Sequence, residues 1–169
     1  MDRFRQRFAE EGLEEQLLSL KDKAELLEKS RFGQGLSLSE LQTLAGYLDS
    51  YAAASGVYLC RQGDTSDFMC LVFRGRVSII KQDLNRQDKE IASVGPGNSV
   101  GEMALIDGEP RSASVVVKNP VTLLVLSEEN FDLMAEEVPR LWGKLLRQLA
   151  RTMSRRLRQT SGILADYLS

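Results

Sequence analysis

The 169-residue chain contains no histidine. That removes the side chain most often used as a general base near neutral pH, and the commonest metal ligand with it, so catalytic readings begin without their usual parts. Cysteine is scarce: Cys60 and Cys70 each sit inside an apolar run, and one pair in a chain lacking a secretory signal reads as two reduced core thiols. The N-terminus, Met1-Asp2-Arg3-Phe4-Arg5-Gln6-Arg7, has neither the apolar core nor the small-residue cleavage site of a signal peptide. No uninterrupted apolar run reaches the roughly 18 residues that a membrane-spanning helix needs. A cytoplasmic protein without membrane contact is therefore expected. Charge of one sign is not in excess either, and a net charge of −2 gives the molecule as a whole no attraction to nucleic acid. With 4 prolines, 43% hydrophobic and 27% charged residues, the composition is that of a globular chain rather than a disordered one. Its length suits one folding unit better than two independent cores.

What is present falls into three stretches. Leu13, Leu17, Leu20, Ala24 and Leu27 recur at alternating spacings of four and three with acidic and basic residues between them, which predicts an amphipathic helix over about residues 8 to 29. Gly33 and Gly35 then punctuate the chain, and Ser37-Leu38-Ser39-Glu40 has the form of a capping box opening a second helix, over about residues 38 to 49, with Leu41, Leu44, Ala45 and Leu48 inward. From Tyr51 to Ser127 the pattern changes to short β-rich runs: Val57–Cys60, Phe68–Phe73, Val77–Ile80 and Val121–Leu126. Glycine-bearing turns separate them, as in an antiparallel barrel or roll. Helix returns after Ser127, placed to cap with Asn130 three residues on, and is interrupted at Val138-Pro139, so a last helix starts at Pro139. In it Trp142, Leu146, Leu149 and Met153 hold heptad spacing, and the same register runs on through Arg156, Thr160, Ile163 and Tyr167, turning polar partway. Helices, an all-β middle and helices again make an α+β arrangement.

The stretch from Val100 to Val117 carries the chemistry. Gly101 and Glu102 precede a short helix-like run, Met103-Ala104-Leu105-Ile106, then a glycine turn and Pro110-Arg111-Ser112 entering a strand. Free amides at the start of such a helix attract an anion, and the Arg111 guanidinium can donate two parallel hydrogen bonds to a phosphodiester. Glu102 would repel a phosphate but is a good acceptor for a ribose hydroxyl. Spacing alone favours a plainer reading, a salt bridge between Glu102 and Arg111 in a loop.

Read together, Val100-Gly101-Glu102-Met103-Ala104-Leu105 and Pro110-Arg111-Ser112-Ala113 closely resemble the two halves of the phosphate-binding cassette of the cyclic-nucleotide-binding domain family, at that family's separation. Arg61-Gln62-Gly63-Asp64, Ser66-Asp67-Phe68-Met69 and Phe73-Arg74-Gly75-Arg76-Val77 are similar to the family's glycine-bearing turns and strands, so the resemblance covers about residues 37 to 160. It implies an eight-stranded antiparallel β-roll, a jelly-roll-like double-stranded barrel, flanked by N-terminal helices and a long C-terminal helix. It also implies that Arg111 and cassette amides around Ala104 and Leu105 hold the cyclic phosphate, and that Glu102 holds the ribose. Gly101 would admit the backbone close to the ligand, Met103 lies within the cassette, and Ser112 would touch phosphate or base. The run Met153–Ser161 resembles the C-terminal helix of bacterial catabolite activators, which implies a homodimeric coiled coil and makes Thr160 and Ser161 candidates for contact with the purine. Plain solvent exposure is the other reading of those two.

The expected organisation is an amphipathic helical extension over residues 1–36, a nucleotide-binding roll over 37–137 and a lid and dimerisation helix over 138–169. Past the last helix the sequence shows no helix-turn-helix like the activators', so no DNA binding is expected. The basic face formed by Arg140, Lys144, Arg147, Arg151, Arg155 and Arg158 reads as a solvated surface. The expected function is a cyclic AMP receptor, with cyclic GMP as rival ligand, that passes its signal to an effector protein by rearranging its flanking helices. The N-terminal amphipathic helix is the surface expected to meet that partner. The alternative is an interaction scaffold of the same fold that binds no nucleotide or a cyclic dinucleotide. No catalytic residue, metal ligand or cofactor is expected, and a cyclic-nucleotide hydrolase would lack a source of activated water.

Overall fold

The structure of the chain, a computed structural model, describes residues 3–168. Met1, Asp2 and Ser169, which fall within the expected outer segments, lie outside the described residues. In chain order the elements are α1 (Arg3–Glu11), β1 (Glu14–Glu15), α2 (Leu20–Glu28), a 3-10 turn (Arg31–Gly33), α3 (Leu38–Ala45), β2 (Asp49–Ala53), β3 (Tyr58–Cys60), β4 (Phe68–Gln82), β5 (Asp88–Val94), β6 (Ser99–Val100), α4 (Glu102–Asp107), β7 (Ser114–Ser127), α5 (Glu128–Glu137) and α6 (Pro139–Leu168).

The strands form one antiparallel sheet in the order β1-β2-β7-β4-β5, with β3 added on β7 and β6 on β4. The described residues form seven strands where eight short ones were expected, because β4 and β7 are 15 and 14 residues long and each runs past several partners. Between them the register shifts at Val72/Arg74, Arg74/Arg76 and Arg76/Val77, and such irregularities bend long strands into a roll. Gly75 sits inside this kink with φ +76°, where an added Cβ would meet the Pro120 carbonyl oxygen at 2.1 Å.

Strand alternation explains why Phe68–Val72 and Val121–Leu126 read as continuous apolar runs. Phe68, Cys70, Val72, Leu123 and Val125 point into the roll, while Met69, Leu71, Leu124 and Leu126 point out under the helices, so both faces are buried. The outer core adds Leu27, Leu41, Leu44, Phe131, Met134, Leu141, Leu145 and Leu149. Cys60 and Cys70 are free and buried, and burial pushes the Cys70 thiol up to about 12.

Three helix starts form as expected. Ser37 and Glu40 make a reciprocal capping box, and the Ser127 hydroxyl accepts the Asn130 amide before Pro139 opens α6. The second helix ends at Ala45 rather than near residue 49, because the chain from Asp49 is taken up by pairing with β7.

The N-terminal expectation is corrected. In place of one helix over 8 to 29 there are two short ones, separated by Gly12 at φ +89° and by β1, which pairs with Tyr51 and Ala52 of β2. Leu17 is 98% exposed, so the apparent stripe is not a buried face. The inward residues of α1 are Phe4 and Phe8, 1% and 0% exposed, which plug the roll.

Candidate functional site

Between the roll and α6 lies a cavity of about 820 Å³. Its floor is the cassette. Strand β6 delivers the chain to Gly101, whose φ of +85° starts α4 without a side-chain cap, leaving the helix's first amides free of one. Glycine is required here for space as well as for φ: an added Cβ would meet the Arg111 guanidinium at 2.2 Å.

Glu102 and Arg111 are both buried, at 1% and 6% exposure, yet they do not pair with each other. The loop salt bridge that spacing alone favours is therefore not formed. Arg111 donates through Nε to the Ser66 hydroxyl, through one Nη to the Gly101 carbonyl at 2.9 Å and through the other to the Phe68 carbonyl, and its Cζ stands 4.7 Å from the Phe68 ring centre. Its backbone is clamped as well, the amide donating to the Asp64 carbonyl at 2.8 Å and the carbonyl accepting the Gly63 amide at 2.8 Å. Three hydrogen bonds leave two of the five guanidinium N–H donors unassigned, and no carboxylate pairs with this cation among the described residues.

Glu102 accepts a 3.3 Å hydrogen bond from the Ser99 hydroxyl on one oxygen and an ion pair from Arg156 of α6 on the other. Arg156 also donates to the Ser99 carbonyl. Burial, and second the nearby Arg31 charge, lower the Arg156 guanidinium below its ordinary range, so the cation is held there at a cost. Sequence reasoning placed Arg156 in the heptad register and did not assign it a contact with the cassette. The signal was there, since a charged residue interrupts an apolar stripe at that position.

Among the expected site residues, Gly101, Glu102, Met103, Ala104, Arg111, Ser112 and Thr160 line the cavity. Two do not. Leu105, 4% exposed, turns its side chain into the outer core, and Ser161, one residue past Thr160, falls off the cavity-facing side of α6. That side is formed by Thr152, Arg155, Arg156, Gln159, Thr160 and Ile163. The heptad read from Trp142 to Tyr167 is accordingly not one stripe: Leu149 is in the outer core with Trp142 packed against it, while Arg156, Thr160 and Ile163 face the cavity. Of the basic face, Lys144 pairs with Glu40 at 2.7 Å and Arg155 joins the cavity wall.

A bent antiparallel roll holding a buried, separated Glu and Arg under a helical cover defines a ligand-binding module. Comparison identifies which: the profile of the cyclic nucleotide-binding domain matches residues 52–137, just over half of the chain, and the chain belongs to that family. The cyclic AMP receptor protein of Thermus thermophilus is 31% identical over 125 residues, 74% of this chain and 56% of that protein. A cAMP-dependent protein kinase regulatory subunit of Blastocladiella emersonii is 30% identical over 92 residues, 54% of this chain and 23% of that one. The crystal structure of a cyclic nucleotide-binding domain from Methylobacillus flagellatus superposes with a TM-score of 0.82 at 30% identity, covering 92% of this chain and 89% of that one. The chain thus spans about half of the Thermus receptor and less of the kinase subunit. Among the described residues no helix is long and apolar enough to cross a membrane.

Proposed function

We propose that the chain is a cytoplasmic receptor for cyclic AMP, with Arg111 taking the cyclic phosphate, Glu102 the ribose hydroxyls, and Ser112 and Thr160 the purine edge. The observation that carries the reading is the buried Arg111 guanidinium, which has no anionic partner among the described residues and faces the cavity with donors to spare. An unpaired buried charge is costly, and a ligand phosphate would repay that cost. Glu102 keeps one oxygen only weakly engaged, by the 3.3 Å bond from Ser99, and so has acceptor capacity for a hydroxyl. Cyclic AMP is favoured over cyclic GMP because the receptor and kinase-subunit relatives are named for it.

Signalling then runs through α6. Ligand shifts a conformational equilibrium only by binding one arrangement better than another, and the wall that α6 builds over the cavity supplies such a difference. Bordering the cavity face at Thr160, Met153, Leu157, Thr160, Leu164 and Tyr167 repeat at spacings of four and three, with Leu157, Leu164 and Tyr167 exposed by 68%, 57% and 85%. This is the seam of a two-stranded coiled coil, and a second copy of the chain is its partner in the receptor we propose. The effector protein would read the position of α6. A thermal-shift and calorimetric screen against cyclic AMP, cyclic GMP and cyclic dinucleotides tests the assignment, since ligand stabilises the folded state according to its concentration over Kd. Stabilisation by cyclic AMP at the lowest concentration is expected. Response to a cyclic dinucleotide alone would overturn the mononucleotide reading, and response to none would overturn the receptor.

A further inference from the structure

Helix α1 lies outside the cavity, yet it reaches Arg111 by two separate routes. The first is aromatic. Phe8 and Phe4 pack on the Phe68 ring at 4.8 and 5.9 Å between centres, Phe8 edge-on at 79°, and Phe68 is the residue whose ring lies under the Arg111 guanidinium and whose carbonyl accepts from it. The second is polar. Arg7 forms an ion pair with Asp64, and Glu11 one with Arg61 at 3.2 Å, so α1 grips both ends of the turn from Arg61 to Asp64. That same turn supplies the amide and carbonyl that clamp the Arg111 backbone.

We infer that α1 is a positioning element for the phosphate-binding arginine, with Arg7 and Phe8 as its positioning residues, and that docking of α1 and binding of ligand are thermodynamically coupled. The inference rests on Arg111 being the phosphate ligand. A binding group has to be held to a fraction of an ångström by neighbours whose own positions are fixed. Here Phe68 fixes the guanidinium from below and the turn fixes the backbone, and α1 holds both. Coupling of this kind is reciprocal: if a docked α1 favours ligand, ligand favours a docked α1 by the same factor.

The test uses the intact chain, the Arg7→Ala variant and the Arg7→Lys variant. Arg7 retains 24% side-chain exposure, so its loss leaves the aromatic plug in place. Calorimetric titration with cyclic AMP is expected to show affinity about fivefold or more weaker in Arg7→Ala, the low end of ordinary coupling between sites. Arg7→Lys should restore part of it, and hydrogen exchange of the α1 amides in the unmodified chain should slow at saturating ligand. An Arg7→Ala variant that loses thermal stability but keeps its affinity would overturn the inference while leaving Arg111 in its role. So would a loss of affinity without ligand-dependent protection of α1, since reciprocity would then fail. No binding of cyclic AMP or cyclic GMP by the unmodified chain overturns the receptor reading and this inference with it.

Discussion

Replacing Arg156 by alanine cuts the ion pair that ties α6 to the carboxylate assigned to ribose. Its worth follows from where the two ends lie: the Glu102 side chain is 2% exposed and that of Arg156 40%. Breaking a fully buried pair costs about 3–5 kcal/mol, and an exposed one about 0–1 kcal/mol. With one end buried and the other two-fifths in solvent, and with the guanidinium already held against desolvation and the Arg31 charge, a value of about 1–2 kcal/mol is expected. For a chain of this size that lowers Tm by about 3–6 °C. Ligand-free Arg156→Ala, Glu102→Ala and the double variant, unfolded by calorimetry, form the cycle that isolates the pair. Cyclic AMP affinity should also fall roughly tenfold in Arg156→Ala, about 1.4 kcal/mol, because the carboxylate loses its orienting partner and binding no longer draws on α6. Additivity of the single variants within about 0.5 kcal/mol, or unchanged affinity, would refute the assignment of Arg156 as the link between cassette and helix.

Arg111→Ala should weaken cyclic AMP binding by about 1.5–3 kcal/mol in a calorimetric titration, the scale of hydrogen bonds to a charged group. Thr160→Ala should change the ratio of cyclic AMP to cyclic GMP affinity, and Ser161→Ala should not, since only the first lines the cavity. The Cys70 thiol, raised from 9.0 to about 12 by burial, should resist alkylation in the native state at pH 8 and react on unfolding. Because its folded pKa exceeds its unfolded one, the folded state keeps the proton longer, and this group's contribution to stability should decline as pH rises from about 9 towards 12. Denaturant titrations across that range, compared with Cys70→Ala, would reveal it. By light scattering the unmodified chain is expected to be a dimer and the Leu157→Glu, Leu164→Glu variant a folded monomer, and equal masses for the two would dismiss the seam.

What could be read from the sequence was what is decided locally or by complete burial. The capping box at Ser37 and Glu40, the Ser127 cap and the start of α6 at Pro139 are set by residues within four positions of one another, so their signals are complete in the sequence. The runs in β4 and β7 were legible because a doubly buried β-run is apolar without interruption, whereas β5, whose side chains are mostly exposed, carries no such run. The N-terminal helix misled for the converse reason. Leucines from 13 to 27 carry a helical period, but pairing of Glu14 and Glu15 with β2 overrides it, and that pairing depends on a strand more than thirty residues away. The site divides along the same line. Glu102 and Arg111 were found from their motif, and their most natural pairing was wrong because each has a partner that the local sequence does not contain. Ser66 lies 45 residues from Arg111, and Arg156 lies 54 residues from Glu102.

Helix α6 shows why a single register could not describe it. At about 1.5 Å per residue its 30 residues extend about 45 Å, well past Leu149, the last of them in the outer core. Over the first third, Leu141, Leu145 and Leu149 answer to the outer core. After Leu149 the core ends, and the helix divides between a cavity face holding Arg156 and Gln159 and an exposed apolar row, the proposed seam, holding Leu157 and Leu164. Thr160 belongs to both: it lines the cavity and occupies a seam position between Leu157 and Leu164. A polar residue at one seam position lowers the stability of a coiled coil while fixing its register, so the same side chain would serve purine recognition and helix pairing. In the proposed dimer, ligand that engages Thr160 from the cavity side alters what the seam can do with it. Recognition of the base and geometry of the dimer then become one equilibrium rather than two.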